Sequence, residues 1–147
     1  MHQTTLRLEQ LLTEASNYIT SNSLSQFDIK PSPDKWSKKE ILGHLIDSAI
    51  NNLQRFTEIQ FSKKPYQVRS YEQDLLVKAN AYQSADISEL LNVWLALNTR
   101  IKEIIKQQTE VSLNYSLLLP NGEENDLRFL IDDYIDHLEH HLKQIMA

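Results

Sequence analysis

The chain has 147 residues, 41% apolar and 24% charged, the composition of one ordinary globular domain and not of a disordered segment. A net charge of −5 leaves no basic footprint for nucleic acid or an anionic membrane surface. The absence of cysteine excludes disulfides, thiolate metal sites and an internal thiol nucleophile, and 2 glycines with 4 prolines are too few for the turns of an all-β fold.

At the N-terminus, Met1-His2-Gln3-Thr4-Thr5-Leu6 lacks the apolar core of a secretory leader. The longest apolar run, Val93 to Leu97, is far short of the ~20 residues of a membrane span. A cytoplasmic location is the expectation. Residues 4–22 predict a first long helix, because Leu8, Leu11, Leu12, Ala15, Tyr18 and Ile19 recur at helical spacing. Residues 23–36, with Pro31 and Pro33, interrupt it. Ser37 followed three residues later by Glu40 is a capping box, so a second helix starts there and runs to about Phe61. Its apolar face is Leu42, Ile46, Ala49, Leu53 and Phe56.

A long connection follows over residues 62–86, with one short helix around Tyr71 to Ala79. It is long enough to cross a bundle from end to end, which allows the helices on either side of it to be parallel. Asp86 and Glu89 repeat the capping-box pattern. The third long helix carries Ile87, Leu90, Trp94, Leu97, Ile101 and Ile104, the strongest apolar stripe in the chain. Pro120-Asn121-Gly122 marks a turn, flanked by an extended piece at Leu117-Leu118-Leu119. The last helix spans about Asp126 to Ile145, with Leu127, Ile131, Leu138, Leu142 and Ile145 as its stripe. The predicted fold is therefore all-α: a four-helix bundle with a long crossover between helices 2 and 3, occupying residues 1–147 as one domain. A sheet of three or more strands is not expected.

Three of the five histidines fall in His137-Leu138-Glu139-His140-His141. At about 100° per residue, His137 and His141 share a face one turn apart, beside Leu130, Tyr134 and Gln144. Two imidazoles so spaced can grip one ion, although a surface pair near a helix C-terminus is the commoner reason for the pattern. His140 points about 60° further from the stripe, toward solvent. On the second helix, His44 lies off the apolar face with Asp47, Ser48, Asn51 and Arg55. Such a stripe is usually the solvated face, and can also be one wall of a polar cleft.

The segment Trp36-Ser37-Lys38-Lys39-Glu40 running into Gly43-His44-Leu45-Ile46-Asp47-Ser48, together with Asp136-His137-Leu138-Glu139-His140-His141-Leu142-Lys143-Gln144-Ile145, resembles the DinB/YfiT-like metalloenzyme superfamily. The resemblance covers essentially the whole chain. It implies a four-helix bundle in which His44, His137 and His141 hold a divalent metal ion. It also implies a homodimer.

Three neutral imidazoles without thiolate suit Zn, Ni, Fe or Mn in an open catalytic site better than a closed structural one. Asp47, one turn from His44, and Asp133, one turn before His137, are candidates to accept a spare imidazole N–H or to act as general base. Both are equally well explained as solvated helix carboxylates. Tyr134 could donate to a bound anion, Arg55 could hold a substrate carboxylate, and Trp36 and Trp94 are packing residues. Metal affinity is expected to fall below about pH 6, since an ordinary imidazole has a pKa of ~6.5 and must be neutral to bind. The expected function is a metal-dependent enzyme on a small molecule, a hydrolase or a transferase using a low-molecular-weight thiol. The alternative is a non-catalytic, stress-related bundle that binds a metal or a ligand.

Overall fold

The computed structural model describes residues 1–147. Four long helices dominate: α1 (His2–Ser21), α2 (Lys38–Glu58), α4 (Ile87–Lys106) and α6 (Leu127–Ile145). Two short ones are α3 (Gln73–Ala79) in the crossover and α5 (Glu110–Leu113) ahead of the last helix. The predicted stripes all face one core, in which Leu8, Leu42, Trp94, Ile101, Ile131 and Leu142 are almost wholly buried. No helix is long and apolar enough to cross a membrane.

The helix starts follow the predicted chemistry, with one difference. Ser37 and Glu40 form the full reciprocal box at the start of α2. At α4, Asp86 caps the backbone N–H of Ser88 and makes no box bond with Glu89, so an ordinary N-cap stands in place of the expected box. Helix α2 ends at Glu58, a little before the predicted Phe61.

Side-chain contacts fix the directions. Lys38 reaches the Ala147 carbonyl, His44 meets His137 and His141, and Phe56 packs edge-on against Tyr134, so α2 and α6 are antiparallel. Gln83, just before α4, accepts from Ser37 at the start of α2, while Asn98 in mid-α4 accepts from Tyr134. Helices α2 and α4 therefore start at the same end and run parallel, as the long crossover allows. Close approach of the crossover to α2 depends on Gly43: a Cβ there would lie 2.2 Å from the Tyr82 ring.

The expectation of no three-stranded sheet is overturned. Strands β1 (Tyr66–Gln67), β2 (Ser116–Leu118) and β3 (Glu124–Asp126) form one sheet in the order β1-β2-β3. Tyr66 pairs in parallel with Leu117, and Leu117 in antiparallel with Asn125. Strands of two and three residues are too short to show a period-two pattern, so only the Leu117 piece was legible. Gly122, at φ +90, closes the β2–β3 turn, and the sheet ties the crossover to the approach of α6.

Candidate metal centre

His44 and the pair His137/His141 come from antiparallel helices and meet near the end where α2 starts and α6 finishes. The Nε2 atoms of His44 and His137 are 3.1 Å apart. One ligand nitrogen from each of the three rings lies within 4.8 Å of the others, and the ring centroids are 4.6–5.0 Å apart. Two nitrogens each ~2.0–2.1 Å from a tetrahedral zinc stand about 3.3 Å apart, so the closest pair is already at the spacing one ion requires. The donor set and its geometry fit a divalent ion.

His44 is completely buried, which reverses the commoner reading of its polar stripe. Ser48, Asp47 and Asn52 are buried with it, so this stripe is the inner wall of a cleft and not a solvated face. The stripe gives no sign of this in isolation, because what covers it comes from α6 and the crossover. Trp36 lies over the His44 ring at 4.8 Å and 35°, fixing its plane by packing. Trp94 is the expected core residue, wholly buried.

Gln144, which the sequence placed beside the pair without a role, orients His141: the His141 Nδ1 is 2.8 Å from the Gln144 side-chain oxygen. With Nδ1–H donating there, Nε2 is left free as the ligand atom. Gln144 is three residues on along the same helix, a spacing at which side chains meet. His140 is exposed and touches only the His141 ring edge-on among the site histidines, and His2 sits at the start of α1, outside the cluster.

The two carboxylates differ from each other. Asp47 makes no bond to His44: its Oδ1 accepts from the Tyr82 hydroxyl at 2.6 Å and from the Asn80 amide at 3.0 Å. Its Oδ2 and His44 Nδ1 are both buried without partners. Burial raises the Asp47 pKa, and the two hydrogen bonds oppose that rise. Tyr82 and Asn80 lie over 30 residues away in the crossover, so no local pattern could announce them. Asp133 is exposed and bonds to nothing, the solvated helix carboxylate of the two readings given for it. The Tyr134 hydroxyl is buried and donates to Asn98 at 2.6 Å, which commits it to the core and not to a bound anion.

Burial, reinforced by the neighbouring imidazoles, holds both His44 and His137 down at about 4. His141 is also lowered, mainly by burial, with its Gln144 bond opposing the shift. The expectation of metal loss below about pH 6 is therefore revised. The two most buried ligands stay neutral well below the ordinary imidazole range, so an added divalent ion should still bind at pH 5.5 and be released toward pH 4. Equilibrium dialysis across that interval checks it, and release complete by pH 6 would refute it. The stability of the metal-free protein should follow the same window. Between about 6.5 and 4 the unfolded chain binds protons that the folded chain refuses, so stability is present above the upper value and is lost as pH falls through the window.

A bundle with three converging imidazoles and no thiolate defines a class, the four-helix bundles with an open histidine site. The chain belongs to the DinB superfamily, whose profile matches residues 3–145. Its fold is similar to that of YfiT from Bacillus subtilis, described as a probable metal-dependent hydrolase with an unusual four-helix bundle topology. The TM-score is 0.86 at 20% identity, covering 98% of this chain and 82% of that one. The mycothiol-dependent maleylpyruvate isomerase is also similar, with TM-score 0.75 at 12% identity over 99% of this chain. This chain spans 60% of that longer protein. At these identities the likeness is one of fold. No curated protein matches the sequence.

Proposed function

We propose that this DinB-superfamily protein is a divalent-metal-dependent enzyme acting on a small molecule, with His44, His137 and His141 as the protein's ligands. The observation that carries the reading is the convergence of three imidazoles, from two helices, at ligand spacing. Openness of the site supports catalysis over a structural role. His137 lines one cavity and His141 lines another, so two of the three rings border space that a reactant can enter. An ion whose positions were all filled by the chain's own groups would instead favour a non-catalytic module.

A bound Zn, Ni, Fe or Mn ion would supply Lewis acidity and lower the pKa of a coordinated water or thiol. The chain's own residues do the rest. Gln144 and Trp36 hold two of the rings in place. Asp133, unpaired and one turn from His137, would be the carboxylate available to hold a proton released in the reaction. Asp47, held by Tyr82 and Asn80, is a fixed anchor between α2 and the crossover rather than a base. Hydrolysis and thiol-dependent transfer are both within this chemistry. The YfiT likeness favours the first and the isomerase likeness, with its mycothiol, the second.

The reading is tested by metal analysis of untagged protein, followed by assays against hydrolysable esters and amides and against electrophiles with several low-molecular-weight thiols. About one metal equivalent per chain and metal-dependent turnover in one assay are expected. Protein that takes up no divalent ion sinks the reading. Homodimer formation belongs to the same proposal. Sedimentation at micromolar concentration should give twice the 17.2 kDa chain mass, and monomer alone would refute it.

A further inference from the structure

The cavity that His137 lines, of about 270 Å³, runs along the groove between α2 and α6. One wall is Ser48, Asn52 and Arg55, which lead away from His44 along α2. Eleven residues separate Arg55 from His44, about 16 Å of helix. Asp133 and Tyr71 complete the part of the cavity that matters here.

Arg55 is a cation with unused capacity. One terminal nitrogen donates to the Arg69 carbonyl at 2.5 Å and the other to Asn52 Oδ1 at 3.4 Å, while the guanidinium stands 5.4 Å from the centre of the Tyr71 ring. A guanidinium offers five N–H donors, so these two bonds orient it without saturating it. It takes part in none of the protein's ion pairs, although Asp133 shares its cavity. Burial is the main influence on it and lowers its pKa from the ordinary value, opposed by the nearby Tyr71, Tyr66 and Asp133. A planar fork of this kind matches a carboxylate. Asp133 in the same cavity works against a doubly charged phosphate.

We propose that Arg55 anchors the carboxylate at the far end of an elongated small substrate whose reactive end lies at the three histidines. The proposal rests on reading those histidines as a metal centre. With allowance for the two side chains, the ligand spans on the order of 10 Å.

The test uses the full chain loaded with Co(II), whose absorption reports a bound thiolate through a sulfur-to-cobalt charge-transfer band. The probes are 6-mercaptohexanoate and its neutral counterpart 6-mercapto-1-hexanol, titrated separately. Wild-type protein should bind the carboxylate probe about tenfold more tightly or better, the scale of a charge-assisted hydrogen bond. In Arg55→Gln the two probes should bind equally, with affinity for the alcohol unchanged. Arg55→Lys, which keeps the charge, should restore part of the preference. The unchanged alcohol affinity separates loss of an anchor from loss of fold, since Arg55 also ties down the Arg69 carbonyl. Equal binding by wild type, a preference that survives in Arg55→Gln, or no thiolate band with either probe overturns the inference while the metal centre stands. A protein that takes up no cobalt overturns the metal reading, and this inference with it.

Discussion

Replacing His141 with alanine is expected to abolish stoichiometric metal binding while leaving the helical circular dichroism spectrum nearly unchanged. The ring is half-buried at the end of the bundle, beside the apolar stripe of α6 and not within it. Its removal takes one of three donors and leaves two, too few to hold a divalent ion against water. A drop in affinity of at least about 100-fold is expected, larger than the 10–100-fold typical of losing an outer hydrogen-bond partner. Gln144→Ala removes only the group that orients the same ring, so it should fall in that lower range. The informative comparison is His140→Ala: it alters a neighbouring imidazole outside the cluster, and metal content should stay at the wild-type level. Equal metal loss in the His140 and His141 variants would show that the helix C-terminus, and not a defined centre, attracts the ion.

Gly43→Ala should destabilise the protein, although alanine is the better helix former by about 1 kcal/mol. The new methyl would lie 2.2 Å and 2.3 Å from ring carbons of Tyr82 and 2.8 Å from its Cβ. These atoms are close to the Tyr82 backbone, so the ring cannot swing clear without moving the crossover. Moving it breaks the 2.6 Å bond to Asp47 and leaves a buried carboxylate poorly satisfied. Overpacking costs about 1–3 kcal/mol, and the strained hydrogen bond about 1–3 more. Against the helix-propensity gain, a net loss of about 1–5 kcal/mol is expected, or roughly 10 °C in Tm at the middle of that range for a chain of this size. Chemical denaturation measures it directly. A variant as stable as wild type would mean that the crossover does not press on α2.

These two positions mark how far the sequence was legible. The spacing of His137 and His141 is local, so one helix sufficed to pair them. The stripes of all four long helices and the Ser37 cap were readable for the same reason. His44 was harder: its neighbours Asp47, Ser48 and Arg55 form a polar stripe indistinguishable from a solvated face, and only the family resemblance linked it to the C-terminal pair. The covering of that stripe depends on contacts between residues far apart in the chain. Gly43 was visible as a residue but not as a contact, because Tyr82 reaches it across the crossover. The same distance hid the bonds of Asp47. Apart from the Leu117 piece the small sheet escaped, because strands of two and three residues are too short for a repeated alternation.

The separation between His44 and His137, 93 residues along the chain, has a mechanical consequence. An ion shared by them is a clasp closing a loop of that length, and closing such a loop in the unfolded chain costs about 4 kcal/mol of entropy. The ion can hold the clasp only after α2 and α6 have docked, so its binding energy would be added to the stability of the whole bundle rather than to one helix. Chelation should then shift the unfolding transition of the entire molecule, making the occupancy of a small reactive centre audible in the melting of residues as remote as the start of α1.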